Sequence, residues 1–150
     1  DTYSGVECTQ IKTGQNALTL PHLYSATQQL RLLRMLLVRE ADDCLLLGYG
    51  IPSSWLRNGQ RVSLDNGPTH FGSVSFELRS RLDEGEIEAF INPPKSGPKI
   101  KLCIRSPLRQ SIAVIAVDGR PWKKFTGEII DLGRPDKQIV VKVKYQRNKP

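Results

Sequence analysis

The sequence predicts a mainly β protein, an antiparallel β-sandwich of about eight strands preceded by one α-helix. Three observations carry this. From Gly72 to Arg81 the residues alternate strictly: Gly72, Val74, Phe76, Leu78 and Ser80 fall on one side, and Ser73, Ser75, Glu77, Arg79 and Arg81 on the other. That is the pattern of a strand with one buried and one wet face. Short runs of the same grammar recur to the end of the chain, separated by Gly, Pro, Asn and Asp. Only one stretch, near residues 25–40, carries apolar residues at helical spacing.

Residues 1–24 show no clear period and read as an ordered loop. Glu7, His22 and Tyr24 are its chemically capable groups, with loop packing as their plainer role. Ser25 then reads as the N-cap of a helix to about Glu40, with Gln28 at the capping-box position. Leu30, Leu33 and Leu37 form its stripe, and Leu32, Met35 and Leu36 widen it beyond what one neighbour covers. Asp42-Asp43 is expected to break the helix. Cys44–Gly48 reads as a short buried strand. Pro52 holds Ile51 extended, and Ser53–Leu56 reads as one helical turn before the Asn58-Gly59 turn. Trp55 there plugs the end of a sandwich, or alternatively offers a stacking platform for a sugar.

Strands follow at Gln60–Leu64 and, after a Pro68 turn, along the alternating stretch. An Asp83-Glu84-Gly85 turn leads into Glu86–Ile91, a hairpin pattern. Lys99–Arg105 is the next strand. Ile112–Val117, apolar on both faces, reads as a central strand covered on both sides. Asp118-Gly119 turns the chain, and a last pair of strands is expected near Gly127–Leu132 and Gln138–Tyr145. The domains are then 1–43, loop and helix; 44–146, the sandwich; and 147–150, a frayed tail.

The 150 residues suffice for one real core, and no apolar run approaches the roughly 20 residues of a membrane-spanning helix, so no membrane partner is expected. The chain opens at Asp1 and its one methionine is Met35, so a piece of a longer protein is expected, and the lack of a signal pattern at this start says nothing of the parent's destination. The net charge of +7 is uneven. Residues 1–50 hold four basic and five acidic residues, and residues 51–150 hold eighteen and ten. Such an excess suits nucleic acid or acidic glycans, but it also serves solubility on outer strand faces. Lys99, Lys101 and Arg105 share one face and Lys142 and Lys144 another. They would make a basic stripe if their strands were neighbours, but the interleaved aromatics of single-strand binders are missing, which argues against nucleic acid.

No catalytic constellation emerges. Of the two histidines, His22 and His70, neither lies in a nucleophile elbow. Cys8, Cys44 and Cys103 have no metal-ligand spacing and leave at least one thiol unpaired, with Cys44 and Cys103 read as core residues. No phosphate loop, metal site or cofactor is expected. Glu84, Glu86 and Glu88 are the carboxylates closest to a hydrolytic pair, and solvent exposure is their expected fate. His70 is expected to be buried against Trp55.

Pro21–Ser25, the Leu/Arg-rich helix through Val38-Arg39-Glu40, Ile51–Leu56 with Gly59, and Pro68-Thr69-x-Phe71-Gly72 together resemble a known arrangement. It is the C-terminal end of bacterial six-hairpin, (α/α)-barrel glycoside hydrolases of the rhamnosidase, fucosidase and arabinofuranosidase groups. Val117-Asp118-Gly119 is similar to their Val-Asn-Gly hairpin. The resemblance covers most of residues 20–145 and rests on packing and turn motifs. It implies that residues 1–43 close a truncated helical barrel and that the upstream catalytic domain of the same chain is the partner. It also implies that the catalytic carboxylates lie upstream, so none is assigned here, and that the parent is periplasmic or secreted. His22 and Tyr24 would lie nearest the barrel cleft. With Trp55 and His70 they are the substrate-contact candidates. A free-standing carbohydrate-binding module using Trp55, Trp122 or Tyr49 is the alternative, and a basic module for nucleic acid or acidic glycans the third reading.

Overall fold

Residues 23–146 are described by the structure, a computed structural model. His22, with Glu7 and Cys8, and the 147–150 tail lie outside the described residues. The chain divides into two compact units, Asp1–Leu36 and Leu37–Pro150.

The first unit contributes helix α1, Leu23–Leu37. Ser25 lies within the helix instead of capping it. The helix also stops short of Glu40. Val38 is 1% exposed and opens strand β1, Val38–Ala41, which pairs with β2, Cys44–Leu47, in the register Val38 to Leu47. Asp42, at φ 50°, and Asp43 turn this hairpin and do not end the helix. The reason is packing: a β-branched residue facing a complementary apolar strand gains more from the ladder than from one more helical turn.

The second unit is a mainly β sandwich of two sheets. After a 3-10 turn at Ser53–Leu56 come β3 (Arg61–Thr69), β4 (Gly72–Arg81), β5 (Glu86–Asn92), β6 (Lys99–Cys103), β7 (Ile112–Val117), β8 (Arg120–Pro121), β9 (Phe125–Thr126), β10 (Ile129–Gly133) and β11 (Ile139–Tyr145). One sheet runs β1-β2-β6-β10-β9 and the other β3-β4-β5-β11-β7-β8. Every pairing is antiparallel except β2 with β6. Among the described residues, eleven strands replace the expected eight because two-residue pairings and β1 leave no periodic trace.

Alternation then decides the core. Leu45, Leu47, Ile100, Leu102 and Ile130 from one sheet meet Val74, Phe76, Leu78, Ile87, Ile91, Val141 and Val143 from the other, all at 2% exposure or less. Each such side chain contributes about 1.5–3 kcal/mol of burial. β4 keeps the expected inward set except Gly72, which is exposed. β3 runs past Leu64 through a register shift, with Asn66 at φ 48°, so the turn falls at His70-Phe71 and not at Pro68. β7 is covered on one face only, with Val114 54% exposed. The last expected pair separates, because β10 and β11 lie in different sheets.

Gly48 closes β2 at φ +73°. A Cβ there would lie 2.6 Å from the Cys103 carbonyl oxygen, while its N–H donates to the Leu37 carbonyl at 2.8 Å. Cys44 and Cys103 are free and buried, but strand alternation puts them opposite the inward residues and outside the central cluster. Burial raises both thiol pKa values.

Candidate functional site

The 3-10 turn builds the most suggestive surface. Successive side chains on so tight a turn point about 120° apart, so Trp55 and Leu56 cannot both face inward. Leu56 does, at 1% exposure, and its carbonyl accepts from the Ser80 hydroxyl at 2.8 Å. Gly59 N–H donates to the Ser80 carbonyl and Ser80 N–H to the Gln60 carbonyl, both at 3.0 Å, fastening the turn to β4. Leu56 is therefore the plug, and Trp55 is left 40% exposed. Trp55 lines a groove of about 500 Å³ with Leu37, Arg57, Gln60, Arg61 and Ser63. An indole surface beside an amide, a hydroxyl and two guanidinium groups can stack on the C–H face of a sugar ring and hydrogen-bond its hydroxyls.

Of the substrate-contact candidates, Trp55 and His70 both lie in the second unit and do not share a site. His70 sits in the β3–β4 turn, at the opposite end of β3 from Trp55, roughly 25 Å away at strand rise. Its side chain is 55% exposed and not buried against Trp55. Nδ1 lies 3.5 Å from Glu40 Oε2, the backbone N–H donates to Glu40 Oε1 at 3.1 Å, and the ring lies against Phe71. His70 thus ties the turn to β1. Tyr24 is 70% exposed on α1. Trp122 packs against the core and donates its Nε1–H to the Asp131 carbonyl at 3.0 Å, so it is held as a structural residue. Tyr49 is half-buried, and burial raises its pKa.

Glu84 is exposed as expected, but Glu86 and Glu88 reverse their expected exposure. Glu86 and Glu88 are 7% and 3% exposed. β5 is a central strand, so Glu88 stands between Arg79 and Lys142, and Glu86 between Arg81 and Lys144. Lys142 Nζ reaches Glu88 Oε1 at 2.6 Å, which raises the lysine pKa. Arg81 Nη2 stands 3.2 Å from Oε2 but off the hydrogen-bond direction, leaving that oxygen an ion-pair contact alone. Arg79 donates to Glu77, holding that carboxyl below its ordinary range, and stacks 4.5 Å above the Phe90 ring. These carboxylates are spent on sheet cohesion. The sequence signal for this was present: Glu86 and Glu88 alternate with Ile87 and Ala89 next to strands carrying cations at the same period.

The basic stripe does not form. β6 and β11 belong to different sheets, Lys99 is paired with Asp43 at 3.1 Å, and Arg105 with Glu128 at 2.9 Å. Among the described residues, no group of three His, Cys, Asp or Glu lies close enough to hold a metal ion. No helix is long and apolar enough to cross a membrane among the described residues. In comparison with known proteins, no family model, no curated protein and no solved structure matches this chain.

Proposed function

We propose that the chain serves as the non-catalytic C-terminal β-sandwich of a glycoside-hydrolase-like protein, where it braces a helical catalytic barrel through α1. The observation that supports this reading is the helix itself. Leu23, Tyr24, Leu30, Leu32, Leu33 and Met35 are 43–77% exposed, and no residue of α1 is buried. A helix apolar on so much of its circumference is stable when other helices cover it. The sandwich, by contrast, closes a core of its own.

Hydrogen exchange on the 150-residue chain tests this. Amides of α1 should exchange many orders of magnitude faster than those of β5 and β11, because helix stability comes from cover. A monomer in which α1 is protected as strongly as the central strands would sink the proposal. The double change Leu30→Glu with Leu33→Glu should leave the sandwich melting transition in place while reducing self-association.

The Trp55 groove favours a second reading, a surface contact for neutral sugar. Trp55→Ala should then abolish oligosaccharide binding measured by calorimetry, without lowering the melting midpoint. A flat response of the unaltered chain to a panel of neutral oligosaccharides would exclude it.

A further inference from the structure

A second cavity lies at the end of the sandwich where the β6–β7 loop meets the β9–β10 hairpin. It measures about 430 Å³, within the roughly 300–1,000 Å³ of small-molecule sites. Its chemistry is mixed. Ser53, Ser106 and Ser111 bring hydroxyls, Gln110 an amide, and Phe125, 37% exposed, an apolar wall.

The charges do not cancel. Arg105 is committed, with Nε 2.9 Å from Glu128 Oε2 and Nη1 donating to the Tyr49 carbonyl at 2.9 Å. That pair is neutral as a unit. Arg109 lines the same cavity, and no ion pair or hydrogen bond engages its guanidinium among the described residues. The site therefore presents one uncompensated positive charge.

The backbone under that charge is unusual. Among the described residues, four non-glycine residues have positive φ: Asp42, Asn66, Arg109 and Asp118. Asp and Asn tolerate this region because their short polar side chains bond locally, whereas a long side chain gains nothing from it. The loop enforces the conformation. Arg109 N–H donates to the Ser106 carbonyl at 3.1 Å, Leu108 N–H donates to the Ser106 hydroxyl at 3.2 Å, and that hydroxyl, on a residue 5% exposed, donates to Gln110 Oε1 at 3.4 Å. A strained position that carries an unpaired guanidinium into a polar cavity has the form of a ligand clamp.

We propose that this cavity binds a small hydroxylated monocarboxylate. Arg109 takes the carboxylate, the serines and Gln110 take the hydroxyls, and Phe125 takes the apolar face of the ring. A hexuronate combines these features. The proposal is independent of the bracing role of α1, so either can fail alone.

Glucuronate, glucose and inorganic phosphate, titrated separately into the 150-residue chain and followed by amide NMR, provide the test. Glucuronate should give saturable shifts confined to Ser53 and residues 105–112 and 125–128, with glucose at least tenfold weaker. Arg109→Gly should weaken glucuronate binding at least tenfold while holding or raising the melting midpoint, since glycine takes positive φ without penalty. Arg109→Asn, which also tolerates that backbone, should behave alike. The proposal is overturned if glucuronate gives no saturable shift, if glucose or phosphate binds as tightly, or if both Arg109 variants bind like the parent chain.

Discussion

Gly48→Ala and Gly59→Ala form a matched pair that separates two costs usually confounded. Both glycines have positive φ, +73° and +75°. Alanine in that region costs about 1–2 kcal/mol, reduced by roughly 0.4–1 kcal/mol because alanine also restricts the unfolded chain. Gly59 has no heavy atom within 4 Å of an added Cβ, so its change should cost about 1 kcal/mol in total. At Gly48 the Cβ would meet the Cys103 carbonyl oxygen at 2.6 Å. That oxygen belongs to the backbone of a strand paired on both sides, β2 and β10, and cannot rotate away. Overpacking of this kind adds about 1–3 kcal/mol, for a total near 3 kcal/mol. Urea unfolding of both variants, at unchanged m value, reads the difference directly. Equal losses in the two variants would refute the claim that close approach of β2 to β6 requires glycine at position 48.

Glu88→Gln should destabilise the sandwich by about 1–3 kcal/mol in the same assay, because it leaves Lys142 and Arg81 without the carboxylate between them. A loss below about 0.5 kcal/mol would show that solvent already screens the pair. Tyr145 is 6% exposed, and burial lifts its phenol pKa above the ordinary value. The folded state therefore holds a proton that the unfolded state releases above about pH 10. Stability should fall by up to about 1.4 kcal/mol per pH unit there, and Tyr145→Phe should flatten that slope. Asp43 runs the other way. The hydrogen bond from Lys99, followed by the charges of Lys99 and Arg134, lowers its pKa. Its contribution is present above about pH 4 and lost as pH falls through the lower folded value, so Asp43→Asn should reduce the acid sensitivity of urea unfolding.

Period-two alternation was enough to read mainly β architecture, the β4 face and the β4–β5 hairpin, and Pro52 with Asn58-Gly59 was enough to read the 3-10 turn between them, because these follow from contacts near in sequence. The sequence also displayed the exposed apolar surface of α1, since helical spacing is a local property. It could not say whether Val38–Ala41 continues the helix or begins a sheet, because β2 supplies the deciding partner. Strand alternation is equally silent on which sheet receives a strand, so the basic residues of β6 and β11 read as one stripe and fold onto two sheets. Glu86 and Glu88 look solvent-facing along β5 alone, and only the flanking cations of β4 and β11 bury them. Trp55 and Leu56 are both apolar, and the geometry of a single tight turn chooses Leu56 for the core and leaves the indole outside. The Arg109 cavity gathers residues from three separate segments, which no local pattern could unite. Local periodicity thus specified which residues form strands, and tertiary pairing, through neighbours distant along the chain, decided which of their side chains are buried, paired or free to bind.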